Sequence, residues 1–242
     1  MNKTNIVAIF FDLDDTLYAT SEFARQAYLN AVKAMIKVGV KLAPETLFVE
    51  LMEVLKEFSS NYPYHFDKLL RRIPCQSYIG LNRGILIAAA VAAYHDTKYS
   101  LLKPYPDAVR ILESLSGRKL IRGIITAGLE VKQAEKLLRL NVYQYFNQDA
   151  IFISDQIGIS KPNPKLYQYV CNFFQIKPET AIYIGDNPES DIDPANQIGM
   201  ITIRVRRDGK YNHLEGKTKP RYEIGNFDEL LPLLEQDYLL PS

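Results

Sequence analysis

Residues 8–17 read Ala-Ile-Phe-Phe-Asp-Leu-Asp-Asp-Thr-Leu, an apolar run that ends in three acids and a threonine. Burying unpaired charge is costly, so clustered carboxylates do not belong inside a strand. They suit the position just past a strand's carboxyl end, where ligands bind in an open α/β sheet. Asp12 and Asp14 are two residues apart and share a face if the extended conformation continues. Two carboxylates on one face either hold a divalent cation or divide the work of nucleophile and general acid/base. The plainer alternative is a turn with an Asp helix cap, and it suits Asp15 best of the three.

Three later stretches carry residues of the same kind. Gly123-Ile-Ile-Thr126-Ala127-Gly128 ends an apolar strand in a hydroxyl. A hydroxyl and successive backbone amides at a strand-to-helix turn can grip phosphate oxygens, although Thr126 alone would serve equally as a helix cap. Ile159-Ser160-Lys161-Pro162-Asn163-Pro164 opens a helix with proline in its first turn. A lysine there can neutralise a phosphoryl group and an attacking carboxylate, where most lysines are merely solvated. Ala181-Ile-Tyr-Ile-Gly185-Asp186 is a strand ending in an acid, with Asp191 opening the next helix. Gly185 permits close backbone approach, and Asp191 also fits as an ordinary helix N-terminal acid.

The elements that must hold these residues follow from the pattern. Residues 6–11 form the first strand. From about Thr20 to Leu102 the pattern is helical throughout: 21–38, a segment opened by Pro44 and Glu45, 66–72, and 82–99. From Pro104 helices and strands alternate: helices at 106–116, 130–140, 164–174, 191–198 and 227–234, and strands at 120–126, 150–153, 181–184, 200–205 and 222–224. Such alternation implies a parallel sheet with right-handed crossovers. The expected fold is therefore α/β, a doubly wound parallel-sheet core from residues 1–19 and 104–242, interrupted by an all-helical cap at 20–103.

Composition bounds the function. The 242 residues carry 29 Lys+Arg against 28 Asp+Glu, a balance that argues against nucleic-acid partners. The cluster Arg204, Arg206 and Arg207 reads as a solvated strand end or loop. Cys75 and Cys171 show no metal-ligand spacing and read as free thiols in a reducing cytoplasm. The scattered His65, His95 and His213 suggest no zinc site. No secretory signal is read at the amino terminus, and Ile85–Tyr94 is too short to span a bilayer, so no membrane partner is expected and the location is read as cytoplasmic.

The four acid, hydroxyl and lysine stretches stand in the order of the four motifs of the haloacid dehalogenase-like hydrolases, which this chain resembles. Asp12-Leu-Asp14-Asp15-Thr16 matches the first motif, Thr126 the second, Lys161-Pro162 the third, and Gly185-Asp186 through Asp191 the fourth. The resemblance covers residues 5–19 and 104–235, with Pro194 standing where relatives often have Gly, and the helical insert resembles the C1 cap type. It implies a Mg²⁺-dependent phosphatase acting on a small phosphorylated metabolite. Asp12 would be the nucleophile that forms an aspartyl-phosphate, and Asp14 the acid/base. Asp12, the Asp14 backbone carbonyl and Asp186 would hold Mg²⁺. Thr126, the amides of Ala127 and Gly128, and Lys161 would bind the phosphoryl oxygens. Thr16 joins the substrate-binding set, and Asp191 would orient Lys161 or metal-bound water. In the cap, Asn61, His65, Arg72 and Tyr94 are candidates for choosing the substrate, against the plainer reading of packed or solvated cap residues. Asp14 argues against a dehalogenase, which lacks the second acid. A phosphotransferase or mutase of the same fold retains both acids, and a catalytically idle metabolite- or partner-binding protein stays open. Oligomeric state is not readable.

Overall fold

A computed structural model describes residues 3–59 and 61–241, the side chains of residues 21 and 22 excepted. In chain order the elements are β1 (Thr4–Asn5), β2 (Ala8–Phe11), α1 (Thr20–Lys37), α2 (Pro44–Phe58), α3 (His65–Arg72), α4 (Arg83–Leu101), α5 (Pro106–Ser116), β3 (Ile121–Thr126), α6 (Glu130–Arg139), β4 (Ile151–Ile153), α7 (Ser154–Ile157), α8 (Pro164–Phe173), β5 (Ala181–Gly185), α9 (Asp193–Gln197), β6 (Ile201–Val205), β7 (Tyr222–Ile224), α10 (Leu230–Asp237) and β8 (Tyr238–Leu239). They fall into two compact units, Met1–Thr20 with Lys103–Ser242, and Ser21–Leu102.

In the first unit six of the described strands form a sheet in the order β4-β3-β2-β5-β6-β7, and every pairing is parallel. The chain runs outward from β2 through β3 to β4, then returns to β5 on the other side of β2. That reversal leaves a crevice at the carboxyl ends of β2 and β5, the topological switch point at which open α/β sheets bind ligands.

All four residues of β2 are buried, as a parallel strand covered on both faces requires. Its side chains alternate between the two layers. Phe10 packs on one face with Phe152 and Phe174, in the cluster that includes Leu166, Tyr167 and Val170 of α8. Phe11 meets Phe146 and Phe227 on the other. Burying such side chains contributes about 1.5–3 kcal/mol each before conformational entropy is set against it. Register then fixes the site: Phe11 pairs with Ile124 of β3 and Ile184 of β5. Asp12 is one residue further on, and its N–H still donates to Ile184 O at 2.8 Å.

Two features depart from the sequence expectations. Asp191 does not open a regular helix: Pro188–Ile192 is a wide π-type turn, and α9 begins at Asp193. Within the arginine cluster Arg206 stays 34% exposed, beside Glu215 and Glu223, but Arg204 and Arg207 are not solvated as expected. Arg204 is 1% exposed, and its Nη2 donates to the carbonyls of Tyr211 (2.7 Å) and Leu214 (2.8 Å). Glu215 and Glu223 stand 3.7 Å from its Nη1. Arg207 bonds Asp107 at 2.5 Å and lies 3.9 Å over the Tyr105 ring. Burial is tolerable for both because each guanidinium meets carbonyl or carboxylate oxygens. The two-residue strands β1 and β8 pair with one another and are too short for periodicity to reveal.

The second unit is all helical. Pro44 occupies the first turn of α2, and the Asn82 side chain caps α4 by accepting from Ile85 N at 3.2 Å. Leu47 and Leu51 of α2, Leu69 and Leu70 of α3 and Leu86 of α4 pack into one core with Val32 and Met35 of α1. Cys75 is exposed and Cys171 buried, both as free thiols. Among the described residues no helix is long and apolar enough to cross a membrane.

Candidate active site

The chemically able residues stand at the carboxyl ends of the strands or just beyond them. β2 delivers Asp12, β3 ends on Thr126, Lys161 follows β4 and α7, and β5 leads into Asp186 and Asp191. Lys161 Nζ is the hub. It donates to Asp12 Oδ1 at 2.5 Å, to the Tyr183 hydroxyl at 2.6 Å and to Asp191 Oδ1 at 2.7 Å. Those three acceptors use all three ammonium protons. The Lys161 side chain is 4% exposed, that of Asp12 9% and that of Asp191 2%. So deep a charge is tolerable only because it is fully paired.

Thr16, wholly buried, stands between two acids: its Oγ1 lies 3.1 Å from Asp12 Oδ2 and 3.4 Å from Asp186 Oδ1. The turn carrying it is closed by Asp15, at φ 58°, whose Oδ1 accepts from Thr20 N at 2.7 Å. Left-handed backbone is a conformation that Asp tolerates. Gly185 is needed for packing: a Cβ there would collide with the Asp191 carboxylate.

Asp12, Asp186 and Asp191 each offer an oxygen within 4.8 Å of the others. Asp191 thus joins the acid cluster itself, beyond its contact with Lys161. Three carboxyls share the single ammonium of Lys161. Burial, then the charges of Asp191 and Asp14, push the Asp12 carboxyl up to about 7 against the pull of Lys161. Burial and the charge of Asp12 push Asp186 up to about 9. Carboxyl oxygen donors suit a hard divalent cation, so the donor set could hold one.

Asp14 is in different company. Its Oδ1 accepts from the Tyr18 hydroxyl and from Thr20 Oγ1 (3.2 Å), and its Oδ2 from Gln133 Nε2 (3.0 Å). Lys136 Nζ reaches both oxygens, at 2.7 and 2.8 Å. Burial opposes its charge, but Lys136 and these hydrogen bonds outweigh burial and hold its carboxyl below the ordinary value.

At the end of β3, Thr126 Oγ1 accepts from Gln133 Nε2 at 2.7 Å, which leaves the hydroxyl proton free to donate. Gly128, at φ +143°, has its N–H on Ser154 Oγ at 3.0 Å, so an anion at that amide would compete with Ser154. The Ala127 carbonyl accepts from Gln133 Nε2.

Three of the four candidates in the helical unit contact that unit's own residues. Asn61 is exposed. His65 is buried, its Nε2 2.7 Å from Ser59 O and its ring edge-on to Tyr28 and Tyr62. Arg72 pairs with Glu57 and lies 3.5 Å from Glu50. Tyr94 packs against Tyr28 and Phe23.

Sequence reasoning passed over Tyr183, Tyr18, Thr20, Gln133, Lys136 and Ser154. Tyr183 reads as one more aromatic in an apolar strand. Gln133 and Lys136 read as the solvated face of α6, yet Gln133 is 2% exposed. A usable signal was their spacing of three, which places both on one helix face following Thr126.

Known proteins resemble this chain over most of its length. The family model described as haloacid dehalogenase-like hydrolase matches residues 9–205. The glyceraldehyde 3-phosphate phosphatase of Methanopyrus kandleri is 45% identical over 236 residues, 96% of this chain and 98% of that protein. The glyceraldehyde 3-phosphate phosphatase of Pyrococcus furiosus is 42% identical over 234 residues, 96% of this chain and 94% of that one. The crystal structure of a HAD phosphatase from Thermococcus onnurineus superposes with a TM-score of 0.65 at 21% identity, covering 97% of this chain and 100% of that chain. With a family model spanning most of its length and relatives this similar end to end, the chain belongs to the haloacid dehalogenase-like hydrolase family.

Proposed function

We propose that the protein is a Mg²⁺-dependent phosphatase that hydrolyses a small phosphate monoester, with glyceraldehyde 3-phosphate as its substrate. The observation that carries the reading is Asp12, fixed by Lys161 on one oxygen and Thr16 on the other, beside Asp186 and Asp191. The substrate assignment rests on the full-length relatives of that name.

In this reading an Asp12 carboxylate oxygen attacks phosphorus in line. The bond from phosphorus to the ester oxygen breaks, and an aspartyl-phosphate forms. Asp14 gives a proton to the leaving alkoxide, then takes one from the water that splits the intermediate and restores Asp12. The resting Asp14, ionised beside Lys136, suits the base half of that role. For the acid half it takes up a proton as the substrate binds, and a phosphate dianion nearby favours that uptake. Thr126 and Lys161 stabilise the phosphoryl oxygens as charge spreads over them. Asp12, Asp186 and Asp191, with the Asp14 carbonyl, would hold Mg²⁺, which supplies positive charge to the phosphoryl group.

The test is phosphate release from glyceraldehyde 3-phosphate, compared with phosphoglycolate, phosphoserine and nucleoside monophosphates, with and without Mg²⁺. Release that needs the metal, is fastest on glyceraldehyde 3-phosphate and disappears in Asp12→Asn supports the reading. Undiminished release in EDTA removes the metal, and a faster member of the panel replaces the substrate.

A further inference from the structure

On the proposed reading of Asp14 as the acid/base, two residues of α6 hold its carboxylate in place. Lys136 and Gln133 stand three apart on α6 and present one face to it. Lys136 Nζ bridges both Asp14 oxygens. Gln133 Nε2 lies 3.0 Å from Asp14 Oδ2 and 2.7 Å from both Thr126 Oγ1 and the Ala127 carbonyl. Two amide protons are thus shared among three acceptors, one on Asp14 and two on the loop that ends β3. Gly128 leaves room for the amide, since a Cβ there would come within 3.1 Å of the Gln133 side chain.

Stability gives a poor account of this arrangement. The ion pair is partly exposed, 20% at Lys136 and 30% at Asp14, and such pairs add little to folding. The buried Leu137 already anchors α6.

We propose that Lys136 and Gln133 are positioning residues: they fix the Asp14 carboxylate for proton transfer and tie its place to the phosphate-gripping turn at Thr126 and Ala127. Both act through Asp14 and not on the phosphoryl group itself.

The test is a double-mutant cycle. Lys136→Met, Asp14→Asn and the pair are assayed on glyceraldehyde 3-phosphate, a poor leaving group, and on p-nitrophenyl phosphate, a good one. Lys136→Met should lower kcat on the alkyl ester about 10-fold or more, and on the aryl ester by less than about 3-fold, as part of the ~10²–10⁴-fold that general acid help supplies. KM should hardly move. In the Asp14→Asn background Lys136→Met should do nothing further, and Lys136→Arg should recover part of the loss. Equal losses on both esters, an unchanged kcat, or a full additional loss in the Asp14→Asn background overturns the positioning role. If Asp14→Asn itself slows both esters equally, the acid/base reading falls and takes this proposal with it. Lys136→Gln, which keeps a donor without the charge, runs the same cycle should Lys136→Met not fold.

Discussion

Asp12 and Asp14 stand two residues apart, and their surroundings pull them in opposite directions. Asp12 lies deep, shares one ammonium with Asp191 and faces a third carboxyl, that of Asp186. Its carboxyl is pushed up to about 7 by burial, with Lys161 opposing. Asp14 has an ammonium to itself and three further donors, and it is held below its ordinary value despite burial. Titratable groups whose environments push them apart are the sign of divided roles. The crowded acid site has carboxyl oxygens to spare for a cation, whereas the Asp14 site is already neutral as a pair. The proposed phosphatase reading puts cation and nucleophile on the Asp12 side and proton transfer on the Asp14 side.

The largest break in that comparison is Asp12→Asn. An amide is a poor nucleophile, so phosphate release should fall by at least about 10⁴-fold, the scale of losing a nucleophile. The same change at Asp14 should leave measurable turnover of p-nitrophenyl phosphate. If both variants kept similar residual rates on that ester, the division of roles would not hold.

The next test uses protons and metal together. In the metal-free protein the Asp12 and Asp186 carboxyls are raised from 3.8 to about 7 and about 9. A raised carboxyl binds its proton more tightly folded than unfolded. Its contribution to stability is full below pH 4 and is lost as pH rises through 7 and then 9. The melting temperature of the metal-free protein should fall across that window, as far as these two groups govern it. Mg²⁺ competes with those protons, so its affinity should rise by about tenfold per pH unit for each proton it displaces. Calorimetric titration from pH 6 to 9 reads this directly. A flat affinity would mean that the acids are already ionised without metal.

Tyr183→Phe sharpens the Asp12 side alone. The buried hydroxyl accepts from Lys161 at 2.6 Å. Losing a hydrogen bond to a charged group is worth about 1.5–3 kcal/mol, or roughly 10- to 100-fold in kcat if the loss falls on the transition state. Esters with good and poor leaving groups should suffer alike, in contrast to Lys136→Met. A loss confined to poor leaving groups would show that Tyr183 serves proton transfer instead.

Which parts of the site were legible follows from the same contrast. Strand ends announce themselves, because acids, a hydroxyl or a lysine break an apolar run at Asp12, Thr126 and Asp186. The residues that tune them do not. Tyr183 lies within an apolar strand, and only the third dimension brings its hydroxyl to Lys161. Gln133 and Lys136 look like solvent-facing positions of an amphipathic helix until the turn after β2 packs against them. Arg204 misled for the converse reason: a basic cluster reads as solvated unless the carbonyls that receive it, 7 and 10 residues downstream, are known. The alternation of helix and strand gave the sheet, whereas the wide turn at Pro188–Ile192 has no periodic signature.

The smallest effect is expected in the helical unit. Arg72 suits phosphate by residue type, but its guanidinium is engaged by Glu57 and stands near Glu50, both from α2. An arginine with two carboxylate neighbours presents little net positive charge to an anion. To bind substrate it would have to give up one of those contacts. Arg72→Ala should therefore change the ratio of kcat/KM between glyceraldehyde 3-phosphate and acetyl phosphate by no more than about twofold, well below the 10-fold or more that losing a specificity contact gives. The exposed pair with Glu57 also predicts little change in melting temperature. A larger shift in the ratio, with the melting temperature unmoved, would mean that Arg72 leaves Glu57 for the substrate, and would make this helix a specificity element after all.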